Sequence, residues 1–252
     1  MSENVFVDRF SKQTQSYARA RPGYPRELYR FLAEKAPDTQ NAWDCATGNG
    51  QAAIQLADFF SNVFATDASA EQISRAFPHE RITYSTATAE QSGLKDHSVD
   101  VITVAQAMHW FDLNLFYTEV QRVARPGAIF AAWAYGFAQA ENKDIQKFFE
   151  YIGKELLSNY WDPHVFKIWR GYEKLPFPFE RISHDPWEIK VEWTRDDFVQ
   201  YMMSWSASQK FLDQTGKDII EATDNKIMDV WLDGQEKIVF RTPLTTLIGR
   251  VK

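Results

Sequence analysis

From residue 42 onward the chain alternates short apolar runs with segments whose apolar residues repeat at helical spacing, a pattern that demands a parallel sheet covered by helices. The strands read as AWDCA (42–46), VFAT (63–66), ITYS (82–85), VDVITV (99–104) and AIFAAWA (128–134). Phe116, Val120 and Val123 recur at i, i+4, i+7, and Ile145, Phe148, Phe149 and Ile152 at i, i+3, i+4, i+7, which predicts two amphipathic helices. ARPGA (124–128) predicts a break between the first of these and its strand. WEIKVEW (187–193) alternates strictly and predicts a half-exposed strand, with Thr194 and Asp197 placed to open a helix towards Ser206. IVFRTPLTTLIGRVK closes the chain as a last strand interrupted at Pro243. Ahead of the sheet, Pro25 is placed to start a helix ending near Pro37, so the first forty residues form a helical lead-in. Residues 158–186, with Pro163, Pro176, Pro178 and Pro186 among many aromatics, predict an irregular insertion.

Composition narrows the function. With 44% hydrophobic residues among 252, the chain can fill a sizeable core, and its net charge of −6 gives none of the basic footprint that nucleic-acid binding needs. Cys45 is the single cysteine, so neither an intrachain disulfide nor a thiol metal site is expected. No run approaches the ~18 apolar residues of a membrane span, and MSENVFVDRFSKQ lacks a signal-like apolar stretch. A cytoplasmic protein with neither membrane nor nucleic-acid partner, and no metal, is expected. Nine tryptophans, ten tyrosines and nineteen phenylalanines are many for this length; such a surplus fits either a pocket or core packing.

WDCATGNGQAA (43–53) is a strand that breaks into glycines and then a helix. Gly48, Gly50 and Ala53 satisfy the dinucleotide fingerprint, which would place a pyrophosphate on the helix N-terminus. Asp44 opposes that reading, because a carboxylate a few ångströms from a pyrophosphate repels it. S-adenosylmethionine carries a sulfonium and an ammonium in place of phosphate, and for it the carboxylate is an asset. The glycines serve either ligand by letting backbone approach without a Cβ.

DCATGNGQAA (44–53), ATDAS (65–69), TAEQSGL (88–94), VDVITVAQAMHWF (99–111) and RVARPGAIFAAW (122–133), in this order and at these spacings, resemble the class I S-adenosylmethionine-dependent methyltransferases, in particular the branch that includes trans-aconitate methyltransferase. YPRELY, GYEKLPFPFE and SWSA extend the resemblance over nearly the whole chain. It implies a doubly wound, seven-stranded, mostly parallel α/β sheet of Rossmann-like type in one domain over 1–252. Within it, 1–40 would be a lid, 41–136 the cofactor core, and 137–252 the substrate-covering insertion and last strands. It further implies S-adenosylmethionine as cofactor, held by Asp44, Ala46, Gly48 and Gly50, with Asp67 and Ala68 at the ribose, Thr88 and Ala89 at the adenine and Gln106 under the methionine. Ala46 stands where the family's first glycine is usual, and Thr88 where many relatives have an aspartate. Tyr17 and Arg21 resemble residues that close over the cofactor. His109 stands where the acceptor approaches and is the candidate catalytic residue. Trp110, Trp133, Trp161, Arg170, Tyr172 and Trp205 are candidates for binding a small-molecule acceptor, for which a carboxylic acid gripped by Arg170 is the leading expectation.

Plainer roles stand beside these. Asp67 could cap a helix beginning near Ser69, His109 could be a turn residue, Arg170 a surface ion pair, and each tryptophan simple packing. Cys45 reads as a buried filler, and Thr88, Glu90 and Gln106 as ordinary loop and strand-end residues. A nicotinamide dehydrogenase, a noncatalytic cofactor-binding protein and an RNA methyltransferase are the competing functions. The first is opposed by Asp44 and the last by the acidic balance.

Overall fold

Five strands, Asn41–Cys45 (β1), Asn62–Asp67 (β2), Ile82–Thr86 (β3), Val99–Ala105 (β4) and Ala124–Tyr135 (β5), run parallel in the order β3-β2-β1-β4-β5. The computed structural model describes residues 23–163, 165–166, 171–172, 175–231 and 236–252. Strand order reverses between β1 and β4, the position at which open α/β sheets bind ligands beyond their carboxyl ends. β1 and β4 are buried along almost their full length, as expected of central strands covered on both faces. Helices Arg26–Lys35 (α1), Gln51–Leu56 (α2), Ala70–Ser74 (α3) and Leu113–Val123 (α4) accompany them. Phe116, Val120 and Val123 form the buried stripe of α4, as their spacing predicts, and Asp112 caps the helix by accepting from the N–H groups of Asn114 and Leu115.

The chain divides into two compact units. Tyr24–Gly136, Phe166–Glu188 and Pro243–Lys252 make up one, which holds the parallel strands. Its sheet continues from β5 to the antiparallel strand Ile238–Arg250 (β9), on which Glu180–Arg181 (β7) also pairs. Seven of the nine strands of the sheet lie in this unit, so the expected seven-stranded sheet is exceeded by two, and one of the seven, β7, lies in the expected irregular insertion.

The other unit includes Phe137–Val165 and Ile189–Thr242. It contains Gln139–Ala140 (β6) and Glu188–Trp193 (β8), both paired with β9, and helices Lys143–Glu150 (α5), Arg195–Met203 (α6), Ser206–Thr215 (α7) and Ile227–Val230 (α8). Thr194 and Asp197 form the expected capping box of α6. Phe149, Trp193, Phe198, Tyr201, Trp205 and Phe240 are buried together here, so much of the aromatic surplus is core.

Two further expectations are corrected. β5 starts at Ala124 instead of 128, because Arg-Pro-Gly does not end the strand; the register jumps from Val99↔Ala124 to Val101↔Ile129, and the extra residues form a bulge. β9 is not interrupted at Pro243. The proline, which has no N–H to donate, falls where partners change, β6 pairing with Phe240 and Arg241 and β5 from Leu244 onward. Among the described residues no helix is long and apolar enough to cross a membrane.

Asp100, fully buried in β4, accepts hydrogen bonds from the backbone N–H groups of Gln40 and Asn41 at 3.1 and 2.8 Å and from Arg125 at 2.8 Å. One carboxylate thereby ties the entry of β1 to β4 and to the bulge of β5. Asp100→Ala would strand these donors and is expected to lower the free energy of unfolding by about 2–4 kcal/mol in urea titrations. A loss below about 0.5 kcal/mol would show that the tie is dispensable.

Candidate active site

The turn after β1 is built on left-handed backbone: Ala46, Gly48 and Gly50 have φ of 54°, 58° and 90°. Gly50 opens α2, and a Cβ there would collide with the Tyr84 hydroxyl, so glycine is required by both conformation and space. A Cβ on Gly48 would meet nothing within 4 Å, so this bend of the turn faces open ground. The usual family glycine at Ala46 has its reason in the same geometry, since a methyl group in the left-handed region is strained. Gln106, at the end of β4 beside β1, is left-handed too, with φ 60°. Its N–H donates to the Trp133 carbonyl at 2.9 Å, and its side chain reaches the Tyr135 carbonyl at 3.3 Å. Strained non-glycine residues thus end two adjacent strands at the point of order reversal, a placement typical of ligand sites.

Asp44 is fully buried and accepts from the hydroxyls of Thr47 at 2.5 Å and Thr103 at 2.8 Å. Burial is the largest influence on its carboxyl and pushes the pKa from 3.8 up to about 6, against the opposing pull of the threonine hydroxyls and an Ala53 backbone bond. At neutral pH the group is therefore mostly ionised, and a cation can be bound there. Asp67, at the end of β2, spans the turn: one oxygen accepts from Gly48 N–H and the other from Ser69 N–H, both at 2.8 Å. Ser69, and not Asp67, caps α3. Thr88 pairs with Gln91 in an isolated bridge, Ala89 beneath it is buried, and the Ala87 N–H donates to the Asp67 carbonyl at 3.0 Å. Ala68 is exposed between Asp67 and the helix cap.

Residues 43–132 match the sequence model of a methyltransferase domain. A protein of Dictyostelium discoideum designated a methyltransferase is 30% identical over 243 residues, covering 93% of this chain and 91% of the relative. The chain belongs to the methyltransferase family. The structure of a protein from Anaeromyxobacter dehalogenans designated a type II methyltransferase shares 40% identity, with a TM-score of 0.84 over 92% of this chain and 98% of that one. A Mycobacterium tuberculosis methyltransferase of uncharacterised activity is 29% identical over 204 residues, 80% of this chain and 76% of the relative. The protein is thus a methyltransferase enzyme with the class I fold, and the family implies S-adenosylmethionine as the methyl donor.

Residues present in the methyltransferase fit that donor. Asp44 is an acidic side chain beside the turn, a Cβ on Gly48 would meet nothing, and each Asp67 oxygen accepts one hydrogen bond and retains a lone pair, features compatible with a ligand that carries an ammonium and hydroxyls. His109 lies in a 3-10 turn over Met108–Trp110 just beyond β4, is 8% exposed, and has its ring 4.8 Å from that of Trp110. Tyr172 is buried in the same unit, its hydroxyl pushed well above the ordinary range by burial. Trp133 is fully buried in β5, against Tyr24 and Tyr29 of the lead-in. Trp161 and Trp205 belong to the other unit, where their rings lie 5.4 Å apart and the Trp161 indole donates to the Gly153 carbonyl at 2.7 Å. Tyr17, Arg21 and Arg170 lie outside the described residues. Thr47, Thr103 and Tyr84 escaped sequence reasoning. Thr47 stands three residues from Asp44, a signal that was available, whereas Thr103 becomes its partner only through the β1–β4 register.

The high pKa of Asp44 makes stability depend on pH in a definite sense. Above about 6 both folded and unfolded carboxylates are ionised and the folded state bears the whole burial cost; between 6 and 3.8 the folded state takes up its proton first and the cost fades. Asp44→Asn is therefore expected to stabilise the ligand-free methyltransferase by about 2 kcal/mol at pH 8, with the gain vanishing near pH 4, while weakening S-adenosylmethionine binding. Denaturation curves at several pH values check the first part and calorimetry the second; a gain that grows on acidification would contradict the assignment.

Proposed function

We propose that the protein transfers the methyl group of S-adenosylmethionine to a small organic acid, forming a methyl ester, in the manner of the branch that includes trans-aconitate methyltransferase. The observation that carries the cofactor half is the arrangement of Asp44, Gly48 and Asp67 around one left-handed turn: it offers anionic groups to a cationic ligand and has no basic side chain to receive a pyrophosphate among these residues. When bound, the cofactor supplies an electrophilic methyl group on sulfur. Transfer to an acceptor oxygen would break the carbon–sulfur bond and leave its electron pair on a neutral thioether. The protein's part is to align the three atoms and exclude water.

The acceptor half rests on the scarcity of bases. Burial raises the Cys45 thiol and the Tyr29 and Tyr172 hydroxyls well above their ordinary ranges, so none is a ready base at neutral pH, and Asp67 is engaged with the turn. Among the described residues no group of three or more acidic, histidine or cysteine side chains could hold a metal ion. A carboxylate arrives already ionised and needs no proton removed, and His109 then orients it. Arg170, with Trp110 and Tyr172, remains the proposed grip on such an acid. On the same reading we infer that Tyr17 and Arg21 serve the cofactor.

Calorimetry with S-adenosylmethionine, S-adenosylhomocysteine and NAD is expected to show binding of the first two alone. Incubation with methyl-labelled cofactor and a panel of carboxylic acids and phenols is expected to yield a labelled ester at a rate flat from pH 7 to 9, and His109→Ala to reduce it less than about tenfold. Label confined to phenols, with a rate that follows histidine titration and a loss of about a hundredfold or more in His109→Ala, would replace the acid by a hydroxyl acceptor and make His109 the base.

A further inference from the structure

Tyr29 on α1 and Trp133 on β5 are both fully buried, and neither the phenol oxygen nor the indole nitrogen has a hydrogen-bond partner among the described residues. Such atoms are rare in folded proteins, because a donor taken from water and left unpaired costs on the order of 1–3 kcal/mol. Two of them together, on rings whose centroids are 5.8 Å apart at 88°, mark a place prepared for an acceptor. Their position says which acceptor. Trp133 lies across the ladder from Ala105, and its carbonyl receives the N–H of Gln106, so the indole belongs to the carboxyl end of β4 and β5. Ala105 stands two residues beyond Thr103, the Asp44 partner, on the same face of β4, and Tyr29 packs on the Trp133 ring, so both donors belong to the face that Asp44 occupies; after burial, Tyr24 and then Asp44 add to the rise of the Tyr29 hydroxyl pKa.

An acceptor for the cofactor's ammonium and donors for a negative group are therefore gathered at the point of strand-order reversal. An α-amino acid presents that pair of charges on one carbon, and the proposed cofactor ends in an α-amino acid. We propose that Tyr29 and Trp133 donate hydrogen bonds to the carboxylate of the cofactor's methionine tail, so that the protein selects S-adenosylmethionine over its decarboxylated form. This assignment rests on the cofactor reading above. The indole can only donate, which makes a second cation or a water-filled amine site unsuitable there, whereas a carboxylate oxygen accepts from both groups. Without the carboxylate, both buried donors stay unpaired and the ammonium on Asp44 is the tail's remaining anchor.

Titration calorimetry of wild type, Tyr29→Phe and Trp133→Phe with S-adenosylmethionine and decarboxylated S-adenosylmethionine tests this, alongside thermal melts without ligand. Wild type is expected to prefer the carboxylated cofactor by at least about tenfold, as loss of charge-assisted hydrogen bonds requires. Tyr29→Phe is expected to bind S-adenosylmethionine about tenfold more weakly and the decarboxylated form unchanged, with an unaltered or higher ligand-free melting temperature, since an unpaired hydroxyl has been removed. Trp133→Phe should show the same selectivity, with a lower melting temperature from lost volume. Equal weakening toward both ligands in Tyr29→Phe, or no weakening, would overturn the assignment while leaving the cofactor reading intact. Wild type that binds neither ligand would overturn the cofactor reading and this inference with it.

Discussion

A carboxylate enclosed in the middle of a parallel sheet is costly unless its oxygens are occupied, and Asp44 is enclosed completely. Its partners come from three places: Thr47 in the turn, Thr103 on β4, and the backbone of Ala53 in α2. Satisfying one charge therefore fixes the turn against the neighbouring strand and the following helix at once. Backbone hydrogen bonds from Thr47 N–H to the Thr66 carbonyl and from Gly50 N–H to the Thr47 carbonyl hold the turn as well. Asp67 adds a second tie by accepting from Gly48, so the end of β2 is held to the same turn.

These ties store cost as well as order. The Asp44 carboxyl is harder to ionise than in water, Ala46 and Gln106 hold a backbone conformation that suits glycine, and Tyr29 and Trp133 keep polar atoms unpaired. All lie in the unit that contains the parallel strands, near the carboxyl ends of β1, β4 and β5 or on the helix covering them. Asp100, at the opposite end of β4, shows none of this tension: its oxygens are matched with backbone donors and an arginine. One end of the strand is matched in its hydrogen bonds and the other gathers the unmet groups, which is the division expected where a doubly wound sheet takes its ligand.

The five parallel strands, the stripe of α4 and the capping box of α6 were legible because each is written locally, in apolar spacing or in residues three apart. The glycines of the turn were legible for the same reason, and Asp44 could be weighed by charge alone. What escaped depends on contacts distant in sequence. Thr103 reads as one more β-branched strand residue until register sets it opposite Asp44, and Tyr84 as a strand aromatic until it is found above Gly50. Pro243 and the Arg-Pro-Gly stretch were misread because local rules count a proline as a stop; here pairing simply changes partner or bulges around it. Tyr29 lies within the helix that the sequence predicts after Pro25, and nothing in its sequence neighbourhood reveals that its hydroxyl has no partner among the described residues. The aromatic-rich second half was ambiguous between pocket and core, and Trp193, Trp205 and Trp231 resolve it toward core for their part.

Electrostatic logic thus joins sequence to the proposed function: on that reading, the residue just before a turn shaped like a dinucleotide site disfavours phosphate and favours a cationic amino acid ligand. The most direct measurement is a crystal structure with S-adenosylhomocysteine. The account requires the amino acid tail over Ala46 and Gln106, its ammonium toward Asp44, and the ribose hydroxyls on Asp67. A ligand bound elsewhere, or a tail turned away from Asp44 with the ribose remote from Asp67, would contradict it.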